Sequence, residues 1–168
     1  MKVETQNLFF TSDTHFGHKN VIKYSNRPFT DVEQMNRKMI ENFNSQVGVN
    51  DHLFFLGDFI FGKPKQAVNI LNQIACQNKY LIMGNHDEGI MDDPKVMDCF
   101  KLVTNYLEIK VKDGDFEKGY QKLILFHFPI LEWHSAHRSS GMLHGHTHGN
   151  LSYPKELQDK RIMDVGVD

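Results

Sequence analysis

Five short segments of this chain are rich in side chains that bind transition metals, and each follows a short apolar run typical of a β-strand. The segments are Asp13-Thr14-His15, Gly57-Asp58, Gly84-Asn85-His86-Asp87, His127 and Gly145-His146-Thr147-His148. Imidazole suits ions such as zinc, iron and nickel, and a carboxylate has two oxygens with which to join two ions. These side chains outnumber the ligands that one ion takes. The sequence therefore predicts a site for two metal ions.

The order of the apolar runs predicts that these segments meet in space. Residues 8–12, 53–56 and 80–83 have the length and composition of buried strands. Two amphipathic helical patterns lie between them, the first opened by the capping box Thr30-Asp31-Val32-Glu33 and the second by Pro64. A β-α-β-α-β order gives a right-handed, largely parallel sheet, and polar groups at its strand ends converge at one edge.

The second half of the chain predicts a further sheet. Residues 107–111 alternate between apolar and polar, Asp113-Gly114 offers a turn, and residues 123–126 return as a strand, which is the pattern of an antiparallel hairpin. Residues 142–143 and 162–165 are further short strand candidates. We therefore expect an α/β fold in which two sheets pack face to face with helices outside. Residues 1–168 have the length of a single domain.

The composition excludes several classes of protein. With 40% hydrophobic and 24% charged residues, the chain resembles ordinary soluble globular proteins. The formal net charge of −2 provides no broad basic surface, so we expect neither an extended nucleic acid nor a membrane as a partner. Cys76 and Cys99 are far apart, and residues 1–7 lack the apolar core of a signal peptide. Both observations favour a cytoplasmic location.

Taken in order, the five motifs resemble those of a known family. Asp-x-His, Gly-Asp, Gly-Asn-His-Asp, a single histidine after a strand and Gly-His-x-His are the motif set of the calcineurin-like metallophosphoesterase superfamily, and they span Asp13 to His148. The resemblance implies a four-layer α/β/β/α sandwich with two mixed β-sheets. No long insertion separates the motifs, so the chain looks like a small member without a cap domain.

The resemblance also implies a role for each side chain. The implied ligands are Asp13, His15 and His148 for the first ion, Asn85, His127 and His146 for the second, and Asp58 as the bridge. The ions would be divalent or trivalent transition metals: Mn, Fe, Zn or Ni. His86 would be the catalytic histidine near the leaving group, as a general acid or as a group that polarises a phosphoryl oxygen. Asp87 would orient His86 or hold the loop, and helix capping explains it equally well.

Two further residues are candidates for contact with the substrate. His18 and Arg27 follow the first metal-binding segment, and an arginine carries a fork of donors that matches a phosphate. A solvated basic surface is the alternative interpretation of this stretch.

The sequence thus predicts a binuclear phosphoesterase in which a hydroxide that bridges the metals attacks phosphorus. A small phosphodiester or phosphomonoester is the expected substrate, with a nucleotide-like ester as the leading candidate because an uncapped domain leaves the metals accessible. A nuclease is the alternative enzyme, and the acidic charge balance disfavours it. A non-catalytic metal-binding scaffold is the alternative outside enzymes, although every motif position, including His86, is filled.

Overall fold

The computed structural model describes residues 2–3, 7–112, 119–158 and 161–168. The strands of this part of the chain are β1 Lys2–Val3, β2 Leu8–Thr11, β3 His52–Phe55, β4 Asn78–Ile82, β5 Leu102–Thr104, β6 Tyr106–Lys112, β7 Tyr120–Phe126, β8 Gly141–His144 and β9 Ile162–Asp164. Its α-helices are α1 Val21–Tyr24, α2 Val32–Gln46, α3 Pro64–Gln73, α4 Glu88–Met91, α5 Pro94–Met97 and α6 Lys155–Gln158. A 3₁₀ helix covers Ala136–Arg138.

The first sheet has the order β2-β3-β4-β5, and all of its strands are parallel. A parallel neighbour needs a crossover connection, and helices supply it here, with α2, α3 and the α4–α5 pair each lying between successive strands. The parallel arrangement predicted from the β-α-β-α-β order is therefore confirmed. Two mixed sheets were expected, and this one is wholly parallel because each connection passes through a helix.

The second sheet has the order β1-β6-β7-β8-β9 and is mixed. β6 and β7 form the predicted antiparallel hairpin, in which Ile109 faces Leu123. The other pairs, β1 with β6, β7 with β8 and β8 with β9, are parallel. The predicted turn at Asp113-Gly114 lies outside the described residues.

Three apolar layers separate the two sheets and their helices. Successive residues of β3 point to opposite faces, so Leu53 and Phe55 pack against the helices while Phe54 packs between the sheets. Met35 and Leu71 are buried between the helices and the first sheet. Ile82 and Leu125 are buried between the two sheets, and Ile124 and Trp133 are buried on the outer face of the second sheet. The outer layer on the second sheet contains α6 and the 3₁₀ helix. The predicted four-layer α/β/β/α sandwich is thus confirmed.

The start of α2 differs from the sequence prediction by one residue. The N-cap is Asp31, whose carboxylate accepts a hydrogen bond from the Gln34 backbone N–H at 2.7 Å. The Gln34 side chain in turn accepts from the Thr30 backbone N–H at 2.8 Å. The predicted capping box, Thr30 to Glu33, was therefore wrong by one residue: Asp31 is the N-cap in place of Thr30, because an aspartate competes with a threonine for the capping position.

None of the helices in the described ranges combines the length and the apolar composition needed to span a bilayer.

Candidate metal centre

The carboxyl ends of five strands bring the predicted ligands to one rim of the sandwich. β2, β3 and β4 of the first sheet lead into Asp13, Asp58 and Asn85, and β7 and β8 of the second lead into His127 and the segment that carries His146 and His148. A backbone hydrogen bond from Gly145 N–H to the His127 carbonyl joins two of these loops. Ligands that lie far apart in sequence therefore meet because both sheets end here.

The first group of ligands consists of Asp13, His15 and His148, whose ligand atoms all lie within 4.8 Å of one another. Nε2 of His15 lies 4.0 Å from Asp13 Oδ1, and Nε2 of His148 lies 3.9 Å from the same oxygen. The two imidazole rings are stacked, with centroids 5.2 Å apart. Asp13 and His15 are buried, so this carboxylate lies among imidazoles with little access to water.

The second group consists of Asp58, His127 and His146, again with ligand atoms within 4.8 Å of one another. Oδ1 of Asn85 lies 3.3 Å from Nε2 of His127, which places the amide oxygen beside this group. The His127 ring is fully buried, and Phe128 packs edge-on against both His127 and His146. An apolar ring behind the two imidazoles limits the positions that they can take.

Asp58 lies between the two groups and faces both. Its Oδ2 is 3.6 Å from Nε2 of His15, and its Oδ1 is 3.6 Å from Nε2 of His127. Oδ1 also accepts a hydrogen bond from the His86 backbone N–H at 3.0 Å. One carboxylate thus presents a separate oxygen to each group, which is the geometry that a bridging ligand requires.

Hydrogen bonds on the outer side of two rings determine which nitrogen faces the centre. Nδ1 of His127 lies 2.7 Å from the Leu56 carbonyl oxygen, an acceptor, so Nδ1 carries the proton and Nε2 keeps a free lone pair. Nδ1 of His148 likewise donates to the Asp168 carboxylate. A carbonyl or carboxylate behind a histidine is the usual means of orienting a metal ligand.

The backbone at the centre is held in the left-handed region. Five of the proposed ligands have φ between 47° and 68°, namely Asp13, His15, Asp58, His146 and His148. This conformation costs non-glycine residues on the order of 1 kcal/mol each and persists only where the surrounding structure enforces it. Gly145 allows two of these loops to touch, since a Cβ there would overlap with Ser12 and with the Asp13 carboxylate.

The electrostatics of the centre suit a cation. Burial raises the pKa of Asp13, while burial lowers the pKa of His15 to about 4 and also lowers that of His146. The pKa of His148 is raised by its hydrogen bond to Asp168. Buried carboxylates beside imidazoles form a donor set that suits a transition-metal ion, whose charge would offset the cost of burying the carboxylates.

Asp87 is fully buried, and its carboxylate accepts three backbone N–H groups. Oδ2 accepts from Gly84 and Asp58 at 2.8 Å each, and Oδ1 accepts from Phe59 at 2.9 Å. Burial raises the pKa of Asp87 to about 6. These contacts tie the third metal-binding segment to the second, which fits the loop-holding alternative for Asp87 and makes it a positioning residue; its catalytic assignment stays a prediction.

His86 is exposed at the open side of the centre, as are Asn85 and His146. Its side chain is 45% exposed, its Nε2 lies 4.0 Å from Asp58 Oδ2, and its ring centroid lies 5.6 Å from that of His15. It lines an open cavity of about 470 Å³ together with His15, His18, Asp58 and other residues of the centre. This is the position that a group needs in order to reach a bound molecule.

The prediction that Arg27 contacts substrate is wrong. The guanidinium is buried and donates to the carbonyls of Asp13 and Thr14 and to both carboxylate oxygens of Asp168, at 2.6 to 2.9 Å. Its donors therefore hold the first metal-binding loop against the end of the chain. His18, by contrast, lines the cavity, with its ring centroid 5.7 Å from that of His15.

Sequence reasoning missed Asp168, which contacts both Arg27 and His148. It lies 141 residues from Arg27 and 20 from His148, so no local motif joins them. A solitary aspartate after a short strand carries no signal of its own, and only the folded chain reveals the contact.

Comparisons with known proteins add four findings. The sequence model of a family described as calcineurin-like phosphoesterase matches residues 7–160. An uncharacterized protein of Methanocaldococcus jannaschii is 32% identical over 164 residues, which cover 96% of this chain and 81% of that protein. The Gene 66 protein of Mycobacterium phage L5 is 30% identical over 184 residues, with coverage of 96% and 86%. A protein of unknown function from Aquifex aeolicus has a similar fold, with a TM-score of 0.67 at 21% identity and coverage of 95% and 89%.

Proposed function

Because this chain belongs to the calcineurin-like phosphoesterase family, we propose that it is a metal-dependent phosphoesterase with a two-ion centre. We propose further that it hydrolyses a small phosphodiester or phosphomonoester. The observation that carries the proposal is Asp58, whose two oxygens lie at equal distances, 3.6 Å, from imidazoles of two separate groups.

The chain offers two sets of ligands for these ions. Asp13, His15 and His148 would hold one, His127, His146 and the Asn85 amide oxygen would hold the other, and Asp58 would serve both. Two ions in such a site supply charge that polarises a phosphoryl group and activates water for attack at phosphorus. Manganese, iron, zinc and nickel all suit a set of imidazole and carboxylate ligands.

The protein's own contribution to the reaction is to position groups and to move a proton. His86 stands at the open side of the centre, where its Nε2 would donate a proton to the leaving oxygen or a hydrogen bond to a phosphoryl oxygen. Asp87 holds the loop before His86 through the Gly84 N–H, so the position of His86 relative to Asp58 depends on a buried carboxylate.

The cavity above the centre favours a small ester. Its volume of about 470 Å³ lies within the range of ordinary small-molecule sites. The formal net charge of −2 provides no excess of cations for a long phosphate backbone.

The test is hydrolysis of bis-p-nitrophenyl phosphate and p-nitrophenyl phosphate after reconstitution with Mn²⁺, Zn²⁺ or Ni²⁺, with the wild type beside His86→Ala. We expect metal-dependent turnover in the wild type, and a rate roughly 10²–10⁴-fold lower in the variant at unchanged metal content. His137→Ala is the matched control, since His137 is exposed and lies outside the cavity.

Each alternative has its own outcome in this assay. Two bound ions per chain without turnover of either ester would support the metal-binding scaffold instead. Turnover of single-stranded DNA or RNA at higher efficiency than of either small ester would support a nuclease. If the protein bound no metal ion, the proposal of a metal-dependent enzyme would be wrong.

A further inference from the structure

Two aromatic side chains stand exposed on the rim of the metal centre, and no part of the reaction described above uses them. Tyr24 is 77% exposed and Phe61 is 56% exposed. Single exposed apolar residues are ordinary, but here two large rings flank the same imidazole. His18 lies between them, with its ring tilted by 36° against Phe61 at 4.6 Å and edge-on to Tyr24, at 78°, at 6.2 Å between ring centroids.

The rings of His18 and Phe61 lie next to imidazole rings of the metal centre. The His15 ring lies 5.7 Å from His18, and the His86 ring lies 5.6 Å from His15 and 6.4 Å from Phe61. Tyr24 and His18 line the cavity that holds His86. A path of neighbouring rings therefore leads from the proposed ligand His15 to the exposed rim.

The backbone that carries these rings is hydrogen-bonded. The Phe61 N–H donates to the Phe16 carbonyl at 2.8 Å, and the Tyr24 N–H donates to the Asn20 carbonyl at 3.1 Å. The His18 ring accepts a hydrogen bond from the Val21 N–H at 3.3 Å. Exposed rings on a fixed backbone lose little freedom when a flat molecule stacks on them.

We propose that the exposed ring faces of Tyr24 and Phe61, on either side of His18, form an aromatic cleft in which a planar heteroaromatic group stacks, so that the ester bound at the metal centre is a mononucleotide. The inference rests on the proposed function, because the phosphate of that ester would occupy the metal site. The base of that nucleotide would extend from the centre onto the rings of Tyr24 and Phe61. Stacking does not distinguish one base from another, so we expect little preference among bases.

The test is calorimetric binding to the Mn²⁺-reconstituted protein of two phosphonates whose carbon–phosphorus bond is not hydrolysed. One is the methylene phosphonate analogue of adenosine monophosphate, and the other is the matching ribose phosphonate without a base. We expect the adenosine compound to bind on the order of tenfold more tightly. In Tyr24→Ala and in Phe61→Ala this advantage should fall severalfold, while the affinity for the ribose compound stays the same.

Conservative and remote variants make the test specific. Tyr24→Phe and Phe61→Tyr keep a ring and should keep the advantage of the adenosine compound. Met163→Ala removes another apolar side chain that is 60% exposed but does not line the cavity, and it should change neither affinity.

Three outcomes would overturn the inference. Equal affinity of the two phosphonates for the wild type would do so, and so would an advantage that survives in the Tyr24→Ala, Phe61→Ala double variant. Concentration-dependent dimerisation that is lost in the same variant would assign the rings to contact between copies. Failure to bind either phosphonate, together with absence of ester turnover, would instead overturn the proposed function on which the inference rests.

Discussion

Asp58 has two carboxylate oxygens, and each lies against a different imidazole. Oδ2 faces His15 and Oδ1 faces His127, both at 3.6 Å. The carboxylate is nearly inaccessible to water, and its Oδ1 already accepts the His86 N–H. A buried anion in this position gains stability from a cation on either side, so its charge links the two halves of the centre.

Asp58→Asn tests this link at the scale of one residue. The substitution keeps the volume and one oxygen but removes the negative charge. We expect both ions to bind more weakly and ester hydrolysis to fall by at least about 10²-fold, as is typical when an electrostatic contribution to a transition state is lost. Mass spectrometry of the bound metal, together with the rate of ester hydrolysis, checks this prediction.

Asp98→Asn is the control for this substitution, because Asp98 is exposed and distant in sequence from the five segments. It should retain both ions and the full rate. A variant at position 58 that kept two ions per chain and a normal rate would contradict the bridging role.

Loops rather than helices or strands carry the centre, and their close approach depends on small residues. Asp87 accepts N–H groups from the Gly84 and Asp58 segments, so the third loop is fastened to the second. The backbone of Gly84 lies so close to Asp58 and His127 that no side chain fits between them. The close contact between loops therefore limits which residue can stand at position 84, independently of any role in metal binding.

Gly84→Ala should separate these loops. Its Cβ would lie 2.6 Å from the Asp58 backbone nitrogen and 3.0 Å from His127 Cε1, and it would overlap with Asp58 Oδ1. Because a buried backbone cannot yield as a flexible side chain can, we expect loss of metal from the second group and a fall of about 1–3 kcal/mol in the free energy of unfolding. Chemical denaturation and metal analysis measure the two effects.

Gly89→Ala is the matched control, since a Cβ at Gly89 meets no atom within 4 Å and the residue lies in the short helix α4. An alanine there should be neutral or slightly stabilising. If both glycine variants behaved alike, the close approach of the loops would not be what constrains Gly84.

Local patterns were sufficient to predict the elements that hold the centre. The apolar runs at residues 8–12, 53–56 and 80–83 correspond to β2, β3 and β4, and the alternation at residues 107–111 lies in β6. Patterns of this kind succeed because burial on one or both faces of a sheet determines which residues are apolar. β5, by contrast, was not predicted, since its three residues at the edge of a sheet are too few to show a period.

Contacts between distant segments could not be predicted in the same way. Arg27 was assigned to substrate because it follows the first predicted metal-binding segment and an arginine carries a fork of donors that matches a phosphate. Its actual partner, Asp168, depends on how the last strand returns beside the first loop. The spacing of Arg27 and Asp168 in the sequence does not predict this contact, which depends on the topology of the folded chain.

At the scale of the whole molecule, Arg27 joins the first loop, the segment before α2 and the end of the chain. Its side chain and that of Asp168 are about 5% exposed or less. Although burial raises it, the pKa of Asp168 lies below the ordinary value because Arg27 and His148 donate hydrogen bonds to it. The pair thus connects the fold to the orientation of His148, a proposed metal ligand.

Arg27→Ala should destabilise the whole fold, because it leaves two loop carbonyls without their donor and the Asp168 carboxylate with only the hydrogen bond from His148. Removing one partner of a buried pair costs about 3–5 kcal/mol. Arg27→Lys keeps the charge but not the fork of donors, so we expect an intermediate loss. Chemical denaturation measures it, and an alanine variant as stable as the wild type would show that this connection is dispensable.

Metal binding should stabilise the fold as well as the site, because the ligands come from both sheets and are assembled only in the native chain. An ion that binds the folded state alone adds about 2.7 kcal/mol when its free concentration is a hundred times its Kd. For a chain of this size, that corresponds to a rise in Tm of roughly 5–10 °C. Differential scanning calorimetry of the chelator-treated and Mn²⁺-reconstituted protein checks it. Asp58→Asn should show a much smaller rise in Tm, because loss of the negative charge at position 58 weakens metal binding by both groups of ligands. A Tm that is the same with and without metal would mean that no ion binds preferentially to the folded chain, and it would contradict this prediction.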